Sequence, residues 1–481
     1  MEESSGEAMQ VDNGSEIITK IARLYAEKLL SDVSLRIGDR VFPAHRLILC
    51  ASSDVFQVML LNPNWTEFNV EEIVLQENAD CGRVFGDFLA YLYTGKITLK
   101  IESVLPILML ADKYNVRDLV MLCVKYMNQH VLAASNLGKL VTWLQYTSNC
   151  GHHDLASICF NFIAWNFHSF MKKPEFLLCD KDTLIAFLQC SDLVVSDEFS
   201  LTVAIIEWLD VNALCDPDNE SILVREIVSY LRFGMLSPVE LAKLVVFPIV
   251  QRNNDFFVRR MALGMDYHSG NWSKLEKIIS DTEEISLQFT PRLYIAEKWM
   301  APITLENFRQ LQPYHSTTLL FNTPYSFSDK DSEQSYEWIV EFYPKGVWFQ
   351  KCYLISWHGK LEVPEMIFRD VRLSLTLKDA FDQRFKVGII IYGDQNGEEY
   401  VAKVVERVFI FDENSSVLKF DDLVDFDGLN ETLLANTKDG EYNPNLVGLN
   451  NDTMKLQVVI LPFERLISFE EPGSWKSIRH F

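Results

Sequence analysis

Four side chains between residues 150 and 159 carry the chemistry of metal binding, since thiolates and imidazoles are the ligands that zinc prefers. They are Cys150, His152, His153 and Cys159. Their spacing matches no standard zinc pattern, and they lie at a predicted turn between helices. Most of the nine cysteines stand in apolar helical runs. We therefore interpret the cysteines as reduced, buried thiols and expect no metal and no other cofactor.

Sequence motifs that support catalysis are missing. The chain has no Gly-x-Ser-x-Gly elbow, no phosphate-binding glycine-rich loop and no His-Glu-x-x-His pair. Gly95-Lys96 lacks the upstream glycine of a P-loop and follows a predicted helix. Carboxylate pairs such as Asp421-Asp422 are typical of solvated surface. We expect no catalytic residues, although an enzyme of a new type remains a separate hypothesis.

The formal net charge of −23 argues against a nucleic-acid partner, because such proteins cluster Lys and Arg against phosphate. No apolar run reaches the roughly 18 residues of a membrane-spanning helix. The first twenty residues lack the basic and apolar parts of a secretory signal. We therefore expect a protein of the cytoplasm or the nucleus, with no membrane partner.

The elements that would position a binding surface begin after a polar segment, residues 1–15, which we expect to be disordered. Ile17, Ile21, Leu24 and Tyr25 then recur at helical spacing and form one apolar stripe. That stripe packs either on its own domain or on a second copy of the chain. Residues 31–45 alternate as a strand hairpin, and helices are predicted at 46–61, 81–93, 101–114 and 116–130.

Residues 16–131 resemble the BTB (POZ) domain in the order and spacing of five motifs. These are Ser31-Asp32-Val33, Phe42-Pro43-Ala44-His45-Arg46, Ala51-Ser52-Ser53-Asp54-Val55-Phe56, Tyr91-Leu92-Tyr93-Thr94-Gly95 and Ala111-Asp112-Lys113-Tyr114. The resemblance implies a mixed α/β domain that forms homodimers. It places Asp32 and His45 near the hairpin where the family dimerises. We favour structural support as the role of Asp32, with a contribution to the dimer interface as the alternative, and we favour a satisfied buried histidine rather than a ligand for His45.

Residues 132–260 form an all-helical segment similar to the BACK domain, which follows BTB in many adaptor proteins. Its more specific marks are the stretch from Phe233 to Leu241, which contains Ser237-Pro238-Val239-Glu240, and the pair Trp208-Leu209. Paired helices with short loops predict a helical stack. We expect a linker at residues 261–285. The family often continues with kelch repeats, and no repeat of about 50 residues follows here.

Residues 286–470 read as short strands separated by turns, which predicts an antiparallel β-sandwich. Two of the turns are Pro344-Lys345-Gly346 and Asp394-Gln395-Asn396-Gly397. The stretch from Trp338 to Trp348 resembles a MATH (TRAF-like) domain, and a small group of BTB proteins ends in such a domain. With a tail at residues 471–481, the fold class we expect is a multidomain α+β protein.

The resemblance also implies a site for the amino-terminal part of cullin-3, the scaffold of a ubiquitin ligase. BTB adaptors of this kind carry a hydrophobic residue, any residue and Glu in the loop after the third helix, and Trp65-Thr66-Glu67 matches that motif. We expect Leu60, Leu61 and Tyr114 to line the same surface. Trp65 could instead cover the core of its own domain.

The sequence thus favours a non-enzymatic adaptor that recruits an unidentified protein substrate through residues 286–470 to a cullin-3 ligase. The BTB dimer would use Ile17, Ile21, Leu24, Tyr25 and Asp32. A dimer would present two copies of each binding surface and raise avidity. The alternative is a BTB-mediated dimeric scaffold or assembly protein that has no ligase.

Overall fold

The computed structural model describes residues 13–213, 219–270, 275, 287–327, 335–349, 352–356, 359–363, 366–378, 382–430 and 443–463. These residues belong to two compact units, 1–156 and 157–481. The predicted tail, and most of the predicted amino-terminal segment and linker, lie outside the described residues. Within the described parts, no helix combines the length and the apolar character needed to cross a bilayer.

The first unit has three short strands and eight helices in its described part, followed by the start of a ninth helix. In chain order they are α1 (Gly14–Ala26), β1 (Val33–Ile37), β2 (Arg40–Ala44), α2 (Arg46–Ser52), α3 (Asp54–Leu61), β3 (Glu72–Val74), α4 (Ala79–Thr94), α5 (Ile101–Lys113), α6 (Arg117–Gln129), α7 (Val131–Asn136) and α8 (Leu140–Asn149). Strands β1 and β2 form the predicted antiparallel hairpin, and β3 pairs parallel with β1. Gly38 makes the hairpin turn with φ +57°, a conformation that costs glycine little.

The single helix predicted at residues 46–61 is in fact two helices, α2 and α3, with a break at Ser53. Ser53 has extended backbone angles, φ −147° and ψ 120°, and its hydroxyl accepts a hydrogen bond from the amide of Phe56 at 3.1 Å. The same hydroxyl donates to the carbonyl of Tyr114 at 2.5 Å. Helical spacing continues through the break, so periodicity alone could not reveal this serine cap.

The second unit begins with helices, and its helical part contains one two-residue strand. The elements are α9 (His153–Trp165, which crosses from the first unit), α10 (Phe167–Phe170), α11 (Lys181–Gln189), β4 (Val194–Val195), α12 (Glu198–Ala213), α13 (Glu220–Val228), α14 (Pro238–Lys243), α15 (Pro248–Arg252) and α16 (Asn254–His268). Short 3₁₀ turns lie at Pro174–Leu178, Phe233–Met235 and Leu244–Val246. Helix α16 continues past residue 260, so the first part of the predicted linker is helical.

Strands form most of the remaining described part of the second unit. They are β5 (Leu293–Tyr294), β6 (Met300–Leu305), β7 (Thr317–Pro324), β8 (Ser335–Tyr343), β9 (Val347–Phe349), β10 (Cys352–Ser356), β11 (Gly359–Val363), β12 (Met366–Phe368), β13 (Arg372–Leu377), β14 (Gln383–Gln395), β15 (Glu398–Phe411), β16 (Val417–Phe420) and β17 (Met454–Phe463), with 3₁₀ turns Glu297–Trp299 and Phe308–Gln310 and a short helix α17 (Phe426–Asn430).

Two four-stranded antiparallel sheets build the predicted sandwich, in the orders β16-β13-β8-β7 and β15-β14-β17-β6. Their inner faces share one apolar core. Trp338 is at its centre, 1% exposed, and meets Phe385 and Phe411 edge-on at centroid distances of 4.9 and 5.2 Å. Its indole N–H donates to Thr323 Oγ1 at 2.8 Å, so the one polar atom of this large side chain is satisfied. The mixed fold class is confirmed.

Within the second unit, the helices are joined to the sandwich by a buried ionic junction, which we define as Glu198, Arg232, Arg292, Lys386 and Glu406. Glu198 is 2% exposed; its Oε2 accepts from Arg292 Nε at 3.1 Å and its Oε1 from the Arg232 amide at 2.9 Å. The two guanidinium groups also donate to backbone carbonyls of residues 188, 190, 230 and 290. Burial, together with the nearby Arg292 charge, lowers the pKa of Arg232 to about 9.

Lys386 of β14 provides the second ionic contact of this junction. It is 2% exposed, and its ammonium donates to the Ser191 carbonyl at 2.6 Å and the Pro291 carbonyl at 3.0 Å. Glu406 Oε2 is 3.0 Å from the same nitrogen, and the Ser191 hydroxyl donates to the other Glu406 oxygen. Burial lowers the pKa of Lys386, opposed by the adjacent Glu406 carboxylate. Arg292 and Lys386 are thus each paired with a carboxylate, and the Arg232 guanidinium donates to backbone carbonyls instead.

Backbone contacts extend the junction. Strand β4 of the helical part pairs parallel with β5 at the entrance to the sandwich. The Asn166 amide exchanges two hydrogen bonds with the backbone of Val401, at 2.8 and 3.1 Å. Gly388 lies against Leu293, where an added Cβ would come within 2.5 Å of a Leu293 methyl carbon. The helices and the sandwich of this unit are thus joined by fixed, directional contacts.

We predict that Arg292→Leu destabilises the full chain by about 3–5 kcal/mol, because it leaves Glu198 buried without its ion pair. Urea denaturation followed by tryptophan fluorescence measures the loss. Arg252→Leu is the matched control: Arg252 pairs with Glu220 at 3.0 Å on the surface and should cost at most about 1 kcal/mol. Equal losses for the two variants would contradict the structural role of the junction.

Candidate partner-binding surfaces

The loop after α3 presents the Trp65-Thr66-Glu67 motif at the surface. The Trp65 side chain is 48% exposed, although tryptophan is usually largely buried. Backbone hydrogen bonds hold the loop: the Trp65 amide donates to the Asn62 carbonyl at 3.1 Å, and the Phe68 amide donates to the Trp65 carbonyl at 3.2 Å. The Thr66 hydroxyl donates to the Glu67 carboxylate at 2.8 Å. An ordered loop therefore displays an aromatic ring beside a carboxylate.

Of the three residues expected to line this surface, only Leu61 is exposed, at 58%. Leu60 and Tyr114 are each 2% exposed, so the structure corrects their assignment. Tyr114 stacks on Phe56 at 4.5 Å and donates its hydroxyl to Glu77 at 2.6 Å. Both side chains belong to the core of the first unit because they lie on the inward faces of their elements.

Sequence reasoning missed several exposed apolar side chains of the first unit. Val58 on α3 is 49% exposed, and Met121 and Leu122 on α6 are 68% and 47% exposed. An open groove of about 590 Å³ runs along α6, lined by Val120, Met121, Val124, Lys125, Asn128, Gln129 and His152. The sequence signal for the α6 surface was that Met121 and Leu122 are apolar although they lie away from the buried Leu119 and Cys123 on the same helix. Exposed apolar clusters of this kind mark interaction surfaces.

Helix α1 leaves its apolar stripe largely uncovered. Ile17 is 56% exposed, Ile21 and Leu24 are half-buried, and no residue of the helix is fully buried. Only its last turn is anchored on the unit, where Tyr25 stacks on Tyr93 at 4.7 Å and donates to the Gly86 carbonyl at 3.3 Å. The carboxyl end of α1 is thus fixed, and the rest of the stripe is available to another surface.

Asp32 and His45 have structural roles in this unit. Asp32 is exposed, and its carboxylate accepts the amide of Arg46 at 2.8 Å, which caps the start of α2. His45 is 9% exposed, and its ring nitrogens lie 2.9 Å from the Tyr93 hydroxyl and 2.6 Å from the Leu29 carbonyl. His45 is therefore a satisfied, buried histidine, as predicted. A role for Asp32 in dimerisation stays a prediction.

The Cys-His stretch is not arranged around a metal. Among the residues described, no group of three or more His, Cys, Asp or Glu side chains is placed to hold an ion. His152 Nε2 lies 2.8 Å from an Asp112 carboxylate oxygen that also accepts the Tyr146 hydroxyl at 2.7 Å. Burial raises the pKa of the Cys159 thiol to about 12, which makes it a poor nucleophile or ligand near neutral pH.

Family models match three parts of the chain. The BTB/POZ domain model matches residues 21–131, the model described as BTB And C-terminal Kelch (BACK) matches residues 140–246, and the BTBD17 TRAF domain model matches residues 289–464. These matches confirm the three resemblances seen in the sequence, including the TRAF-like assignment of the sandwich.

Several known proteins are similar to this chain over long stretches. The human BTB/POZ domain-containing protein 17 is 30% identical over 342 residues, which cover 70% of this chain and 67% of the human protein. The Xenopus laevis protein of the same name is 26% identical over 347 residues, covering 71% of this chain and 70% of that protein. Human Kelch-like protein 7 is 26% identical over 257 residues, covering 53% of this chain and 42% of its own. The chain belongs to the family of BTB/POZ domain-containing protein 17.

Proposed function

We propose that this protein is a substrate-recruiting adaptor of a cullin-3 ubiquitin ligase. In this proposal the BTB domain forms a homodimer and binds the amino-terminal part of cullin-3, and the sandwich domain binds the protein to be modified. The observation that carries the proposal is the exposed Trp65, held in an ordered loop beside Glu67. The BTB and BACK matches and the similarity to a Kelch-like protein are consistent with such a role.

Burial of the Trp65 ring against a partner would contribute favourable binding free energy. A half-exposed tryptophan contributes little to its own fold, but it becomes a hot spot when a partner removes it from water. Leu61 and Val58 precede it on α3 and supply further exposed apolar area. Glu67 adds a carboxylate at the border, which favours a partner that presents Lys, Arg or backbone N–H groups.

The dimer rests on α1, whose uncovered stripe needs a partner surface. A second copy would bury Ile17, Ile21 and Leu24, and the anchored Tyr25 fixes the carboxyl end of the helix in a defined position. In a two-fold dimer, both copies contribute the same surface to the interface, so the α1 stripe of each copy can serve as that surface. Dimerisation is a general property of BTB domains, which further supports this step.

A protein that recruits cargo without catalysis benefits when its cargo-binding domain is held firmly. In the second unit, the ionic junction holds the sandwich against the helices of the same unit. Lys386 and the pair formed by Glu198 and Arg292 attach the sandwich to the helices through buried, directional contacts. A rigid carrier raises the effective concentration of the cargo near bound machinery. We propose no bond-making step by this chain, in keeping with adaptor families of this type.

We also propose that the protein resides in the cytoplasm or the nucleus. The seven cysteines whose surroundings the structure describes are all free thiols. Burial raises the pKa of Cys123, like that of Cys159, to about 12, so these thiols are protected from oxidation and exchange. Such thiols suit a reducing compartment. Fractionation of cells that express the full chain tests this; recovery only from the medium would contradict it.

We predict that Trp65→Ala combined with Glu67→Ala weakens binding to the amino-terminal half of cullin-3 by about 30-fold or more, as expected when a hot spot worth at least about 2 kcal/mol is removed. Titration of purified full chain against that half of cullin-3 measures the loss. Val74→Ala is the matched control, since Val74 is an apolar side chain of the same unit with 65% exposure.

The double variant must remain a folded dimer for the comparison to count. Equal binding by the double variant and the unmutated chain would show that the Trp65 loop does not contribute to the cullin-3 interface. No binding by the unmutated chain would overturn the ligase proposal and favour the dimeric scaffold.

We predict that Ile17→Glu shifts the chain from dimer to monomer, weakening self-association by at least about 10-fold, because burying an unpaired carboxylate is costly. Sedimentation equilibrium measures the change. Thr19→Glu adds the same charge on the opposite face of α1 and should leave the dimer intact. A dimer equally stable in both variants would place the interface elsewhere.

A further inference from the structure

We propose that the sandwich domain binds basic peptide segments on an aromatic face made by Tyr314, Trp348, Ile367 and Phe426. This inference rests on the proposed function, because it names the chemistry of the cargo that the adaptor would recruit. The face is separate from the Trp65 loop and from the ionic junction. Its occupant would be an extended segment with an apolar or aromatic side chain flanked by Lys or Arg.

Strand pairing places the apolar centre of this face. Strands β9 and β12 are antiparallel, with Trp348 opposite Ile367, so the two side chains project from the same side of the ribbon. Their exposures are 44% and 55%. Their neighbours Val347 and Phe368, also opposite each other, turn to the other side, where Val347 is 4% exposed. At this end of the ribbon Val347 is covered, and Trp348 and Ile367 are displayed on the other side.

A tight turn extends the face from Trp348 towards α17. The rings of Tyr314 and Trp348 lie 5.7 Å apart. Gly346 has φ +87°, and a Cβ at this position would meet a Phe426 ring carbon at 3.5 Å and a Tyr314 ring carbon at 3.6 Å. Both rings thus flank the same glycine. The Tyr314 amide donates to the Lys345 carbonyl at 3.0 Å, which fixes Tyr314 beside the turn.

Aspartates border the face on the side of α17, and they determine which partner fits. Arg369 lies over the Phe426 ring at 5.5 Å and is neutralised by Asp427 at 2.6 Å. Asp422 and Asp425 are also exposed, and neither forms an ion pair with a residue that the structure describes. The border is therefore negative in sum.

Two lysines lie close to this part of the domain, and they offset only part of the negative charge. Lys403 donates its ammonium to the Leu423 carbonyl, next to Asp422, at 2.8 Å. Lys345 directs its ammonium onto the Phe308 ring at 3.9 Å rather than towards the border. Burial lowers the pKa of Lys345 to about 8, so the ammonium is still mostly charged at neutral pH and loses its charge only as the pH rises above about 8. The face consequently combines displayed apolar rings with excess carboxylate.

The negative charge of the border favours a basic peptide over the other possible occupants of the face. A second copy of this chain would bring the same aspartates together, which is unfavourable between like charges. Nucleic acid and anionic membrane surfaces would be repelled for the same reason. A peptide with Lys or Arg beside an apolar side chain satisfies both halves of the face, with cation–π contacts to the rings and ion pairs to the aspartates.

The test is fluorescence anisotropy with the full chain and the labelled peptide Gly-Arg-Lys-Leu-Phe-Arg-Lys-Gly. We expect binding that weakens when salt is raised from about 50 to about 500 mM, as screening of exposed charges requires. A peptide with Glu at the four basic positions, and one with Gly in place of Leu-Phe, should each bind at least about 10-fold more weakly.

Variants of the chain locate the binding. Trp348→Ala, and separately Asp422→Asn with Asp425→Asn, should each weaken binding of the basic peptide by about 10-fold or more. Leu320→Ala is the matched apolar control, at 72% exposure in the same domain, and Glu297→Gln with Glu413→Gln is the matched charge control. Asn can still accept the Gly428 amide that Asp425 caps, so the fold of α17 is preserved.

Two outcomes would overturn the inference. One is peptide binding that these variants leave unchanged. The other is concentration-dependent association of the chain that Trp348→Ala abolishes, which would assign the face to a second copy. Binding of the cullin-3 fragment is measured for the Trp348→Ala variant as well. If that binding is retained, a negative peptide result contradicts only the proposed peptide site and leaves the adaptor proposal standing.

Discussion

The second unit depends on one buried carboxylate. Glu198 is 2% exposed, and it neutralises Arg292, accepts the hydroxyl of Tyr294 at 2.8 Å and holds the backbone of Arg232. Removing ions from water is costly, and their mutual attraction repays that cost only with good geometry. A buried cluster of this kind therefore contributes orientation more than net stability. Replacing such a cluster as a whole by apolar side chains of the same volume is often neutral in stability, whereas removing one partner is strongly destabilising.

The two units carry different candidate binding surfaces. The first unit carries the exposed Trp65 loop and the uncovered stripe of α1, both of which suit protein partners. The second unit carries an aromatic face on a sandwich that buried ion pairs hold against its own helices. An adaptor of the kind proposed above would act through proximity, and the length and stiffness of the connection set the effective concentration that proximity provides. Exposed Asp422, Asp425 and Asp427 lie at the border of that face.

Much of the fold was predictable because local patterns agreed with the final packing. The β1–β2 hairpin and the sandwich strands follow from alternation and turn residues, and these survive any tertiary context. The break at Ser53 was not predictable, because its cap needs the carbonyl of Tyr114, which approaches only in the folded unit.

The errors in the site prediction have a similar origin. Leu60 adjoins Leu61 in sequence, yet a helix turns adjacent side chains by about 100°, which is why one is buried and the other exposed. Arg232 and Arg292 look like ordinary surface residues in the sequence. Their partners come from distant segments, so only the folded chain reveals that both are buried.

The proposed adaptor role requires that the folded chain bind the amino-terminal part of cullin-3 as a dimer. The mass of the complex formed by the purified full chain and that part of cullin-3, determined by light scattering after size exclusion, tests this requirement. We expect a complex of two chains with two cullin-3 fragments. A folded dimer that elutes alone beside free cullin-3 fragment, at concentrations well above micromolar, would contradict it.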